Sequence, residues 1–526
     1  MIVRDEAELL PRFLAQARGL WSELVAVDTG STDATPRILE QAGARLLHQP
    51  WTGDFAAARN RGLEVATGEW VAVLDADELV SPELVGEISA LALDAGAGAA
   101  TIRMVNALPH GHARESRLLR LWRHGPGIRF RHAIHEDASE AVFAALALSG
   151  QRLVHLEGRV DHLGYVRDRA AARRKKERDV GILERVLAAD PADLYSHLKL
   201  LEQARFWGDR ELWRRAAAAA KRAVEAAPDR LSREPLGGEL VALVADGLAA
   251  HPAAALALLD GLADRVRPSA AFQLRRGELR ELTGDPSGAE ASFRACLGLA
   301  ATTANRQLAT VRPRLGLARL EFARGALPAA LALVEEALSS APRDPEALLF
   351  AVALQRARGG GAAVDAFARA RAATGGEELW AALGEEALRA GDLERALPAL
   401  SQAAGDPPRG PPARLLALAR LASGDTAGAA GLAEQLEGED PAAELVGLLA
   451  AIARGGDLPR ELKLAPAEAE PALRDMAGML RAAARPEVLS RLRAAAPALG
   501  SSFPWLGAAL GERPRPARSR DDGVRG

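Results

Sequence analysis

Two patterns of apolar spacing divide this chain, and the point where one gives way to the other constrains the fold more than any single motif. Up to about residue 185, short apolar runs at 24–27, 44–48 and 70–74 alternate with amphipathic stretches at 35–41 and 54–66. A β-α-β-α-β order of this kind implies parallel strands joined by right-handed crossovers. From about residue 190 the strand pattern all but vanishes, and Ala, Leu, Arg and Glu recur at helical spacing. At 526 residues the chain also exceeds what one hydrophobic core organises. The expectation is an α/β domain with a mostly parallel, Rossmann-like sheet over 1–185, an all-α region over 186–510, and a disordered tail rich in Arg, Pro and Asp over 511–526.

Local chemistry gathers where the α/β strands should end. Asp75-Ala76-Asp77-Glu78 follows the apolar run Trp70-Val71-Ala72-Val73-Leu74. If strand geometry persists, Asp75 and Asp77 share a face. Two hard oxygen ligands can then share Mg²⁺ or Mn²⁺ while leaving coordination sites open for phosphate oxygens. Upstream, Leu24-Val25-Ala26-Val27 runs into Asp28-Thr29-Gly30-Ser31-Thr32-Asp33. Thr32 or Asp33 can cap the helix that follows, Pro36 suits its first turn, and Gly43 suits its exit. Asp28 and Asp75 would both lie at the carboxyl edge of the sheet, where ligands of open parallel sheets bind.

Five ordered motifs then resemble the signatures of family 2 glycosyltransferases: Met1-Ile2-Val3-Arg4-Asp5-Glu6, Val27 to Asp33, Asp54-Phe55-Ala56-Ala57-Ala58-Arg59-Asn60, Gly68-Glu69-Trp70, and Leu74 to Glu78. Ile134-His135-Glu136 and His162-Leu163-Gly164-Tyr165 resemble segments of one branch of that family. The resemblance covers residues 1 to about 185. It implies a GT-A fold and transfer, with inversion, from a nucleotide-diphosphate sugar, a uridine nucleotide being the default. It implies that Asp28 accepts a hydrogen bond from the nucleotide base, that Asp77 holds the metal, and that Asp75 touches ribose or the metal's water shell. Arg4 and Glu6 would reach base or ribose, and Arg59 base or phosphate. His162 would complete the metal site, or else be a histidine hydrogen-bonded inside the domain. For the base that inversion requires, Glu136 matches the family's His-Glu pair, with Asp137 as the second candidate. The family's first strand begins several residues before Ile2, so this one is expected to be clipped, through a late start or a tolerated short strand.

Arg114, Arg117, Arg120, Arg123, Arg129 and Arg131 form a basic stretch expected as a strand pair turning at Gly125-Pro126-Gly127. Its guanidiniums could meet a departing diphosphate or an anionic acceptor, or line a solvated edge. Nucleic acid is disfavoured as a partner, because aromatics make up 4% of the chain and the formal net charge is −3.

The helical region resembles tetratricopeptide repeats of about 34 residues. Small residues and prolines align as Gly277, Gly284 and Ala289; Gly325, Ala330, Ala337 and Pro342; and Gly384, Gly391, Ala396 and Pro408. Degenerate units are expected around Trp207-Gly208-Asp209 and Gly424-Asp425. Stacked into an α-solenoid, such repeats offer a concave surface to a protein partner, brace a dimer, or cover the acceptor cleft. The single cysteine, Cys296, suits a reducing compartment. With no run of eighteen apolar residues and no leader pattern, a soluble cytoplasmic protein is expected, able to touch the inner membrane face if its acceptor is lipid-linked. The acceptor itself stays open between glycan, lipid-linked and peptide classes.

Two other enzyme classes fit less well. A nucleotidyltransferase would want a glycine-rich basic loop after the first strand, where Arg4-Asp5-Glu6 stands. A haloacid-dehalogenase-like phosphatase would want Thr or Ser just after its D-x-D, where Leu79 and Val80 stand. The remaining alternative is a repeat scaffold carrying an inactive transferase-like domain.

Overall fold

The computed structural model describes residues 1–107, 113–162, 169–299, 306–436, 438–456 and 466–502. The expected tail at 511–526 and Leu163-Gly164-Tyr165 lie outside the described residues. The chain forms two compact units, Met1–Asp285 and Pro286–Gly526.

The first unit opens as the spacing predicts. Strand β1 (Ile2–Val3), helix α1 (Leu10–Gln16), strand β2 (Val25–Asp28), helix α2 (Thr35–Gln41) and strand β3 (Arg45–His48) make a parallel three-stranded sheet in the order β1-β2-β3. In register, Val3 lies opposite Asp28 and Asp28 opposite His48. Helix α3 (Phe55–Leu63) follows, and Asp54 caps it by accepting a hydrogen bond from the Ala57 N–H at 2.8 Å.

The next strand departs from expectation. Strand β4 (Trp70–Ala72) leaves the first sheet and pairs antiparallel with a later strand. Strand β5 (Glu78–Val80), helix α4 (Pro82–Ala92), strand β6 (Ala97–Ala107), strand β7 (Ala113–Arg123), helix α5 (Ser139–Ser149) and strand β8 (Arg152–His162) complete this part. The second sheet runs β4-β7-β6-β8-β5, with β6 and β8 parallel and the other pairs antiparallel. Long-range pairing determines the assignment: Trp70 to Ala72 sit opposite Leu121 to Arg123, and the Arg123 guanidinium stacks over the Trp70 ring. The strand pair expected to turn at Gly125-Pro126-Gly127 does not form either. Arg120 to Arg123 belong to β7, whose partners are β4 and β6, and residues 124–137 are loop apart from one bridge between Arg131 and Asp137.

Helix α6 (Arg169–Ala189), helix α7 (Leu194–Phe206) and helix α8 (Arg210–Ala226) begin the all-α part and still pack on the first unit. Ile134 from the 128–137 loop is buried in one core with Ile182, Leu194 and Leu198. The repeat signals become the expected helix pairs. Gly208, Gly391 and Gly424 each take the left-handed backbone conformation after a helix, and Asp209, Asp392 and Asp425 then receive the opening N–H groups of the next helix. The architecture is therefore an α/β domain followed by all-α, tetratricopeptide-like helix pairs. Among the described residues, no helix is long and apolar enough to cross a membrane.

Small residues act at the pair contacts. A Cβ on Gly384, in the helix Gly376–Arg389, would stand 2.5 Å from Leu400 Cγ and 3.0 Å from its backbone nitrogen in the facing helix Leu393–Ala404. Gly431, in the helix Thr426–Leu436, has open space instead. Gly384→Ala should thus destabilise the second unit by about 1–3 kcal/mol through overpacking. Gly431→Ala should stabilise it by about 0.5–1 kcal/mol. Urea unfolding midpoints compare the two, and equal shifts would contradict the close-approach reading.

Candidate active site

The carboxyl edge of the first sheet is closed by two loops that bind each other. Asp5 accepts hydrogen bonds from the Thr32 N–H at 2.7 Å and its hydroxyl at 3.1 Å, and the Asp5 N–H donates to Ser31 Oγ at 3.0 Å. Asp33 receives the Ala7 and Thr35 N–H groups, so it serves the start of α2 from just outside the helix. Asp28 is 4% exposed. It accepts from the Ser31 N–H and hydroxyl at 3.0 and 2.5 Å and lies 3.3 Å from His48 Nδ1. Glu6 is half-buried, with its N–H on Thr35 Oγ1, and Arg4 is exposed.

Helix α3 carries the centre of the site. Arg59 is buried, its side chain 9% exposed. Its Nη2 bonds both Asp75 oxygens at 3.0 and 3.2 Å, and its Nε bonds Glu136 Oε1 at 2.5 Å. One residue on, Asn60 exchanges hydrogen bonds with the Phe130 backbone in both directions, at 2.8 and 2.9 Å. The Phe55 N–H donates to Ala133 O at 2.8 Å. The helix thereby draws the 128–137 loop over the residues that follow β4.

Asp75 and Asp77 do not share a face. The chain turns between Asp75 and Glu78: the Glu78 N–H donates to Asp75 O at 3.1 Å, and the Asp75 N–H donates to Glu78 Oε2 at 3.0 Å. This turn replaces strand geometry, so Asp75 meets Arg59 while Asp77 Oδ2 lies 3.2 Å from His162 Nε2 at the end of β8. Burial alone would push the Asp75 carboxyl up, but Arg59 and Arg120 outweigh it and hold it down at about 2. Burial dominates at Glu78 and pushes its carboxyl up to about 7 even though Arg120 Nη2 is 2.8 Å away.

Arg120 reaches this cluster because of a β-bulge. Ala100 pairs with Leu121 and Thr101 with Leu119, which leaves Arg120 as the extra residue on β7. The rest of the basic stretch does not converge there. Arg117 binds Glu157 and Leu156 O, and Arg123 binds Glu69, Ala97 O and Asp94 O. Arg131 pairs with Glu140 and Arg129 bonds Ile128 O. The Arg114 side chain lies outside the described residues.

The two candidate bases separate clearly. Glu136 points inward to Arg59, whereas Asp137 is exposed and accepts from the Ser139 N–H and hydroxyl at the start of α5. Asp77 and His162 offer oxygen and imidazole donors that suit Mn²⁺. Among the described residues, no three His, Cys, Asp or Glu side chains converge as a complete metal cage. His48, Glu78 and Tyr195, whose hydroxyl bonds His135 O at 2.6 Å, belong to this constellation without having been singled out in the sequence. Glu78 stood within the Asp75-to-Glu78 motif and His48 at the end of an apolar run, whereas Tyr195 offered no local signal.

Residues 1–147 match the family described as "Glycosyl transferase family 2". The chain is similar to a TPR repeat-containing protein of Synechococcus elongatus, 43% identical over 205 residues that cover 38% of this chain and 50% of that protein. It is also similar to the SPbeta prophage-derived glycosyltransferase SunS of Bacillus subtilis, 27% identical over 195 residues that cover 36% of this chain and 45% of SunS. The chain thus spans about half the length of these curated relatives. The crystal structure of S. aureus TarS 1–349 in complex with UDP-GlcNAc aligns at 14% identity over 56% of this chain and 90% of that one, with a TM-score of 0.28, too low to carry weight.

Arg59→Met should destabilise the first unit by about 1–3 kcal/mol, chiefly because it leaves the largely buried Glu136 carboxylate without its cation, while the partly exposed Asp75 keeps Arg120 at 4.0 Å. Adding Glu136→Gln should recover part of that loss. Thermal unfolding of the single and double variants checks this, and an additive double variant would contradict a shared cation.

Proposed function

We propose that this chain is a metal-dependent, inverting glycosyltransferase that moves a sugar from a nucleotide-diphosphate sugar, taken as a UDP-sugar, to a glycan, lipid-linked or peptide acceptor. What carries the reading is the Arg59 bridge, which brings the Asp75 turn and Glu136 together in the region that matches family 2, beside the Asp77–His162 pair. Asp28, together with Arg4 and Glu6, takes the base and ribose end of the donor. Asp75 takes ribose or the metal's water shell. Asp77 and His162 would hold Mn²⁺ or Mg²⁺, which supplies positive charge to the departing diphosphate.

Glu136 is the base. It removes the proton from the acceptor nucleophile as that atom bonds to the anomeric carbon, while the carbon–oxygen bond to the diphosphate breaks on the opposite face. Arg59 orients the carboxylate and, through Asp75, ties its position to the donor side. The helix pairs offer a surface for a protein partner, consistent with a peptide or protein-borne acceptor.

Release of UDP from UDP-glucose and UDP-N-acetylglucosamine, with and without Mn²⁺, tests the proposal. Chelation should stop release and Mn²⁺ should restore it. Glu136→Gln should lower turnover about 10²- to 10⁴-fold while leaving UDP affinity unchanged. Full turnover in that variant would move the base to Asp137 or elsewhere. Neither binding nor release in the wild type would favour the scaffold reading.

A further inference from the structure

We propose that Tyr195, on α7, is a positioning residue that clamps the loop carrying Glu136 from behind, so that a helix of the all-α part holds the base in place. The inference rests on the assignment of Glu136 as the base. The loop is closed on itself, since Arg131 and Asp137 exchange backbone hydrogen bonds at 3.0 and 3.1 Å. Within it, His132 at φ +71° and His135 at φ +54° are non-glycine residues in the left-handed region. Such conformations persist only where surrounding structure over-determines them.

Helix α7 supplies that structure. The Tyr195 hydroxyl donates to His135 O at 2.6 Å, which fixes the peptide leading directly into Glu136. The Tyr195 ring stacks on the His132 ring with centroids 3.5 Å apart and planes 12° from parallel. Gln203, two turns along the same helix, lies 3.0 Å from His135 Nε2. Between the two strained residues, Ile134 is buried against Leu194 and Leu198. Both left-handed residues are therefore gripped from α7, and the carboxylate beside them reaches Arg59 in the α/β part. Tyr195 acts through the loop backbone and through His132, which separates positioning from catalysis.

The full chain is compared with Tyr195→Phe, which keeps the ring, and Tyr195→Ala, which removes it. Hydrogen–deuterium exchange of the amides at 131–138 should rise about tenfold in Tyr195→Phe, as expected for one lost hydrogen bond, and further in Tyr195→Ala, with helices elsewhere unchanged. Turnover of UDP-glucose or UDP-N-acetylglucosamine, measured as UDP release, should fall about tenfold in Tyr195→Phe with UDP affinity unchanged. In the Glu136→Gln background, Tyr195→Phe should cost nothing more. Unchanged loop exchange would overturn the clamp. So would a loss shared equally by UDP affinity and global melting, or a further loss in the Glu136→Gln background. If Glu136→Gln alone keeps full turnover, the base assignment fails, and the exchange at 131–138 still decides whether Tyr195 clamps the loop.

Discussion

A single buried cation, Arg59, holds two segments that the chain separates widely. Asp75 lies 16 residues from it in sequence and Glu136 lies 77, yet both carboxylates bond one guanidinium. Buried charges persist when they are paired and hydrogen-bonded, and guanidinium geometry suits two carboxylates at once. Much of the surrounding structure serves this arrangement. Asp54 starts the helix that carries Arg59, Asn60 fixes the Phe130 backbone beside it, and the Asp75–Glu78 turn presents one carboxylate while sending Asp77 to His162.

The opposite side of the Glu136 loop explains why the compact unit extends past the sheets. Helices through Asp285 belong with the α/β part, and α7 touches the loop through Tyr195, Gln203 and an apolar contact at Ile134. Strain at His132 and His135 needs a partner outside the loop, and this helix provides one. Division of labour among the later helices is simpler: glycine and aspartate set the turns at 208–209, 391–392 and 424–425, and Gly384 sets the close approach of its helix pair.

Local grammar made much of this legible from the sequence. Short apolar runs located β2 and β3, Asp54 announced the start of α3, and the Gly-Asp pairs marked helix junctions at 208, 391 and 424. The failures share one physical origin, which is that distant pairing overrides local pattern. Trp70 to Ala72 read as another parallel strand until β7 claimed them. Asp75 and Asp77 read as one face until Glu78 closed a turn between them. Arg120 was one basic residue among six, and only the bulge singled it out. Tyr195 carried no local mark at all, since its partners lie 60 or more residues upstream in the loop it clamps.

The central claim is that Asp77 forms a metal-dependent donor site beside the Arg59 bridge. Calorimetric titration of the full chain with UDP, with and without Mn²⁺, set against Asp77→Ala, addresses it most directly. The account predicts UDP binding that Mn²⁺ strengthens in the wild type, and loss of that strengthening in Asp77→Ala with helical content and melting unchanged. Equal Mn²⁺-dependent affinity in the two proteins would contradict it.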